Sequence, residues 1–131
     1  MEINGISASR CPQSIRDTMA KEEDIELLTN LFQEILQAIL NNQYSWPFLH
    51  PVSSDEAPDY HEVIKDPIDL ETIGNRLNEG QYYITKDIFF ADLRRMCENC
   101  KVYNKEGTVY FTCAAQIEKL LRERAGADYF K

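Results

Sequence analysis

Four stretches of this chain repeat their apolar residues every three or four positions, and none alternates them every second position. Ile25, Leu28, Phe32, Ile35 and Ile39 form the first stripe, widened by Leu31, Leu36 and Leu40. Leu70, Ile73 and Leu77 form the second. Phe89, Leu93, Met96, Cys97, Cys100 and Tyr103 form the third, and Tyr110, Ala114, Ile117 and Leu121 the fourth. A period near 3.6 puts each set along one helix face, whereas a half-buried strand needs a period of two. The pattern therefore restricts the chain to an all-α fold whose stripes meet in a common core.

Local signals set the helix ends. The first helix is expected from Asp17 or Thr18, with Glu22, Glu23 and Asp24 near its start, where the helix dipole favours acid, and Asn41-Asn42 at its end. Asp69, Thr85 and Thr108 are placed to cap the later helices. Asn78-Glu79-Gly80 and Lys105-Glu106-Gly107 stop the two that precede short connections, so these neighbours should pack antiparallel. The first two helices are instead joined by a long stretch, Gln43 to about Asp66, broken by Pro47, Pro51 and Pro58 and followed by Pro67. It carries Trp46, Phe48, Leu49, Val52, Tyr60, Val63 and Ile64, with a short helical turn expected around Asp59–Ile64. So long and apolar a loop in a compact bundle points to function, and folded over one end it makes a pocket between helices.

At 131 residues the chain is one domain, long enough to bury a core without disulfide or metal staples. Residues 1 to about 16 are polar and aperiodic. The domain is placed at 21–125, with 1–20 as a flexible lead-in or non-native remnant and 126–131 as a tail. A net charge of −8 opposes direct binding to nucleic acid, which needs Lys and Arg against phosphate. No apolar run approaches the length of a membrane span, MEINGISASR has no apolar core of a signal peptide, and Glu2 stands where myristoylation requires Gly. A reducing compartment with four free cysteines is expected.

Catalytic and metal chemistry finds little support. Cys97-Glu98-Asn99-Cys100 has C-x-x-C spacing, but both thiols fall on an inward helix face and no second ligand pair matches them. A core role is expected, with no metal and no cofactor. His50 and His61 are not tied by spacing to any nucleophile. Trp46-Pro47-Phe48 reads equally well as a cap on the core or as an aromatic shelf beside a pocket, because the proline fixes the relation of the two rings.

Taken together, WPF at 46–48, PV at 51–52, APDYHEVIKDPIDLETI at 57–73, NCKVYN at 99–104 and Tyr110 resemble a bromodomain, over about residues 22–124. The likeness is closest to the bromodomains of GNAT-type, PCAF-like histone acetyltransferase coactivators. It implies a left-handed four-helix bundle with its long loop between helices 1 and 2. It further implies a non-catalytic, monomeric reader of acetyl-lysine on histone tails that brings a nuclear, chromatin-modifying parent to acetylated chromatin. By the matching motifs Asn104 would anchor the acetyl group and Tyr60 would reach the same carbonyl through water. Trp46, Pro47 and Phe48 would form the shelf, Val52 a wall and Tyr110 a gate, with Tyr103 and Cys100 completing the lining. Ile68 stands where many members have Met, His61 replaces a common second Tyr, and Lys105-Glu106-Gly107 differs from the proline often found after the Asn.

These residue types suit the implied ligand. Acetylation turns an ammonium into a neutral amide whose carbonyl needs a donor when buried, and Asn104 can supply an N–H without charge. A bare ammonium would be desolvated among them, because the implied lining holds no carboxylate. The rival reading is a helical scaffold that binds partner helices through the apolar loop surface, with the pocket closed or vestigial; for Asn104 itself the plain alternative is a helix stop.

Overall fold

The structure, a computed structural model, describes the backbone of residues 13–125 and the side chains from residue 24 onward. Cys11, most of the expected lead-in and the expected tail lie outside these residues. The described chain is helical without strands: α1 (Gln13–Leu40), a 3-10 turn (Trp46–Phe48), α2 (Tyr60–Val63), α3 (Leu70–Glu79), α4 (Lys86–Tyr103) and α5 (Val109–Ala125). The all-α architecture, with one long loop after the first helix, is the one the four stripes require. α1 starts at Gln13, about a turn before the expected Asp17 or Thr18. Gln, Arg, Met, Ala and Lys in this stretch favour helix, so the helix extends upstream of its apolar repeat.

The stripes converge on one core. Phe32, Ile35 and Ile39 from α1 meet Leu70, Ile73 and Leu77 from α3, Phe89, Leu93 and Met96 from α4, and Ala114, Ile117 and Leu121 from α5. Phe32 stacks on Phe89 at 4.2 Å between centroids, which fixes α1 against α4. The widened first stripe is narrower than expected, since Leu31 and Leu40 remain 38% and 40% exposed. α1 packs on α3 and α5, and these two leucines lie outside the covered face. Conversely, Phe90 and Cys113 are buried although they fall outside the expected stripes.

The caps follow from short polar side chains at the helix starts. Asp69 accepts the Thr72 backbone N–H at 3.0 Å, and Thr85 accepts that of Ile88 at 3.3 Å. Gly80 closes α3 at φ 77°, a left-handed position that a side chain would strain. Thr108 accepts from the Phe111 backbone N–H at 3.3 Å at the start of α5.

A polar knot joins α3 to α4. Asp92, 5% exposed, accepts from Arg76 at 2.8 Å, Tyr83 at 2.7 Å and Arg95 at 2.9 Å. Burial first, and then the Asp92 carboxylate, push the Tyr83 phenol far above its usual range, so it stays a donor. Every charge at Asp92 is thereby matched by a donor.

Candidate functional site

The long loop is fastened close to where it leaves α1. Asn42 accepts the Tyr44 backbone N–H at 2.8 Å, and the buried Ser45 hydroxyl donates to the Asn42 carbonyl at 2.9 Å. Pro47 sits early in the 3-10 turn that follows, where its missing N–H is not needed. The two rings of Trp46-Pro47-Phe48 then part. Phe48 joins the core, while Trp46 stays 49% exposed, its ring 5.5 Å from that of Tyr110. Phe48 thus takes the core position, and the exposed ring of Trp46 stands beside Tyr110.

Between this loop and the ends of α4 and α5 lies a cavity of about 550 Å³. Trp46, Pro47, Phe48, Val52 and Tyr60 line it from the loop. Cys100, Tyr103, Asn104 and Tyr110 line it from the helix ends, so all nine residues singled out in the sequence share one space.

Asn104 ends α4 with an extended backbone, φ −106° and ψ 137°. Its backbone N–H and its side-chain Nδ2 both donate to the Cys100 carbonyl, at 2.9 and 3.0 Å. That carbonyl accepts, so it fixes which end of the carboxamide faces it. The second N–H of Nδ2 has the Cys100 sulfur at 3.6 Å, a weak acceptor that a carbonyl oxygen would outcompete. The Cys100 thiol donates to the Tyr110 carbonyl at 3.3 Å. Burial pushes that thiol up to about 11, so it stays neutral.

Tyr60 is buried, with its ring edge-on to Tyr103 at 4.9 Å. Desolvation raises its phenol above the ordinary value, with smaller contributions from Cys100 and Tyr103, and keeps it a donor. The Tyr103 hydroxyl donates to the Asp59 carboxylate at 2.6 Å, and this bond raises the Tyr103 phenol too. Three lining groups thus remain uncharged at neutral pH, and the cavity offers donors in apolar surroundings.

The lining also departs from the one expected. It includes two carboxylates, Glu56 and Asp69. Asp69 accepts from Thr72 twice, from the backbone N–H at 3.0 Å and the hydroxyl at 2.6 Å, so both its oxygens are engaged. Glu56 is exposed to solvent. Neither stands as a buried, unpaired counter-ion for an ammonium. His50, His61, Pro67, Ile68, Thr72 and Met96 line the cavity as well. Met96 was detectable in the sequence, since it lies four and eight residues before Cys100 and Asn104 and shares their helix face. The loop residues had no such period to mark them. Among the described residues no cluster of three or more potential metal ligands occurs.

Comparison with known proteins bears on the family and the fold. A sequence profile of the family described as Bromodomain matches residues 32–116. The histone acetyltransferase GCN5 of Oryza sativa subsp. japonica is 41% identical over 101 residues, covering 77% of this chain and 20% of that protein. GCN5 of Yarrowia lipolytica is 42% identical over 91 residues, covering 70% and 19%. GCN5 of Debaryomyces hansenii is 37% identical over 123 residues, covering 94% and 27%. The chain thus spans about a fifth to a quarter of the length of these relatives, which are of the GNAT-type coactivator kind that the motifs resemble. Among solved structures, CpBRD2 from cryptosporidium superposes with a TM-score of 0.69 at 33% identity, covering 73% of this chain and 89% of that one. The bromodomain of human BAZ1A gives 0.70 at 29% identity, covering 74% and 93%. With the profile running from the second half of α1 through α3 and α4 into the first half of α5, well over half of the chain, the chain belongs to the bromodomain family.

Proposed function

We propose that this chain reads acetyl-lysine on histone tails, and so brings a longer chromatin-modifying coactivator to acetylated chromatin in the nucleus. Bromodomains are non-catalytic modules that bind acetylated lysines on histones. The histone acetyltransferase domain of the parent, and the working unit at 21–125, belong to the same proposal.

The observation that carries it is the Asn104 carboxamide. One of its N–H groups is held by the Cys100 carbonyl, and the other, among the described residues, has only a sulfur for a partner. The acetyl carbonyl takes that second N–H. Tyr60, kept protonated by burial, donates toward the same oxygen through a water. Trp46, Pro47, Phe48 and Val52 receive the aliphatic stem, Tyr110 closes over it, and Tyr103 and Cys100 complete the wall. A lysine ammonium finds no buried anion with a free oxygen and is rejected by desolvation. One small side chain and the ordering of a flexible tail give affinity on the order of micromolar or weaker.

Calorimetry with a singly acetylated histone-tail peptide and its unmodified twin tests this reading. The acetylated peptide binds, the unmodified one does not, and Asn104→Ala loses about 1–3 kcal/mol of affinity while remaining folded. Equal affinity for the two peptides contradicts it.

A further inference from the structure

The outer wall of the cavity is a segment with little to hold it locally. Residues 59–68 contain α2, a single turn of four residues, and no helix that short is stable alone. Asp59 stands at the N-cap of α2, yet its side chain makes no cap hydrogen bond. Asp66 precedes Pro67, which biases it away from helical geometry and leaves its carbonyl outside any regular ladder. Tyr60, His61, Pro67 and Ile68 from this same segment line the cavity.

Both ends of the segment are tied to α4. The Tyr103 hydroxyl donates to Asp59 at 2.6 Å, across 44 positions of sequence. At the other end the Asp66 carbonyl accepts from Asn99 Nδ2 at 3.0 Å and from Arg95 Nε at 3.1 Å, which uses both its lone pairs. Arg95 is itself oriented by Asp92 at 2.9 Å. Arg95, Asn99 and Tyr103 are spaced four apart and form one stripe of α4. Met96, Cys100 and Asn104 form the adjacent stripe, and all of these line the cavity. α4 thus carries two parallel stripes, one facing the ligand space and one fastening the wall opposite.

We infer that Arg95, Asn99 and Tyr103 form a ladder of positioning residues, with Asp59 and Asp66 as acceptors, that sets the distance between the Tyr60 wall and the Asn104 anchor. The inference rests on the acetyl-lysine reading for its functional consequence. Only Tyr103 touches the cavity directly, so Asn99 and Asp59 act through the segment they hold.

The test combines peptide affinity with amide hydrogen exchange in residues 60–64. Asn99→Ala, Tyr103→Phe and Asp59→Ala each weaken an acetylated histone-tail peptide about fivefold and speed exchange in that segment, while core amides of α4 and α5 keep their protection. Asp59→Asn restores affinity, because its carboxamide oxygen still accepts from Tyr103. Unchanged affinity per folded molecule, or failure of Asp59→Asn to restore it, overturns the ladder. If the unaltered chain binds no acetylated peptide, the functional reading has failed. Exchange in residues 60–64 then decides whether the ladder holds the wall, and unchanged exchange in the variants overturns it.

Discussion

Asp92 and Asn104 lie on the same helix axis about 18 Å apart, and they handle polarity among apolar neighbours in opposite ways. Asp92 is charged, buried and saturated, with Arg76, Tyr83 and Arg95 donating to its two oxygens. Asn104 is neutral, half-buried and incompletely matched, with one N–H fixed and the other against a sulfur. A saturated site has nothing to offer a ligand, so its work is to hold α3 on α4. An unsaturated, uncharged site costs less to keep in an apolar cavity and retains a donor for a guest. The sign and completeness of the hydrogen bonding, more than burial itself, separate structure from function here.

Mutations should divide along the same line. Asp92→Ala strands two arginines and a phenol, and is expected to cost about 3 kcal/mol in urea unfolding. That is the lower end for a broken buried pair, because Arg76 and Arg95 keep some contact with water. Asn104→Ala loses one bond to a backbone carbonyl and is expected to cost only about 1 kcal/mol of stability. Comparable costs at both positions would break the contrast.

Between these two in size stands a pH effect at the cavity end. The folded Cys100 thiol holds its proton up to about 11, against an ordinary 9.0. Its contribution to stability is therefore complete below about pH 9 and is lost as pH rises toward 11, since the unfolded chain sheds the proton first. The loss from this thiol is on the order of 1 to 2 kcal/mol by pH 10. Buried Cys97 and Tyr83, both raised, act in the same direction. Urea midpoints should fall between pH 8 and pH 10, and fall less in Cys100→Ala. A flat profile would contradict a buried neutral thiol.

What the sequence made legible was whatever repeats or caps. The stripes on α3, α4 and α5 and the caps Asp69 and Thr85 follow from spacing and from short polar side chains before apolar runs. The first stripe was drawn too wide, because periodicity says which residues share a face but not how much of it a neighbour covers. Leu31 and Leu40 remained outside. Asp92 was invisible, since an acid on a helix reads as solvated and nothing in the spacing of Arg76, Tyr83 and Arg95 announces their convergence. The nine residues named from motifs do gather around one space, but Glu56 reaches it from an aperiodic loop, and Asp69 and Thr72 from the start of α3, whose apolar stripe says nothing of its polar face. The ladder from α4 to Asp59 and Asp66 joins residues 29 to 44 positions apart, beyond any local signal.

The central claim is that an uncharged amide lodges against Asn104. A crystal soaked with N-methylacetamide tests it most directly. The account predicts the amide oxygen about 2.9 Å from Asn104 Nδ2, with the methyl group toward the apolar wall. The molecule bound elsewhere, with nothing at that nitrogen, would contradict it.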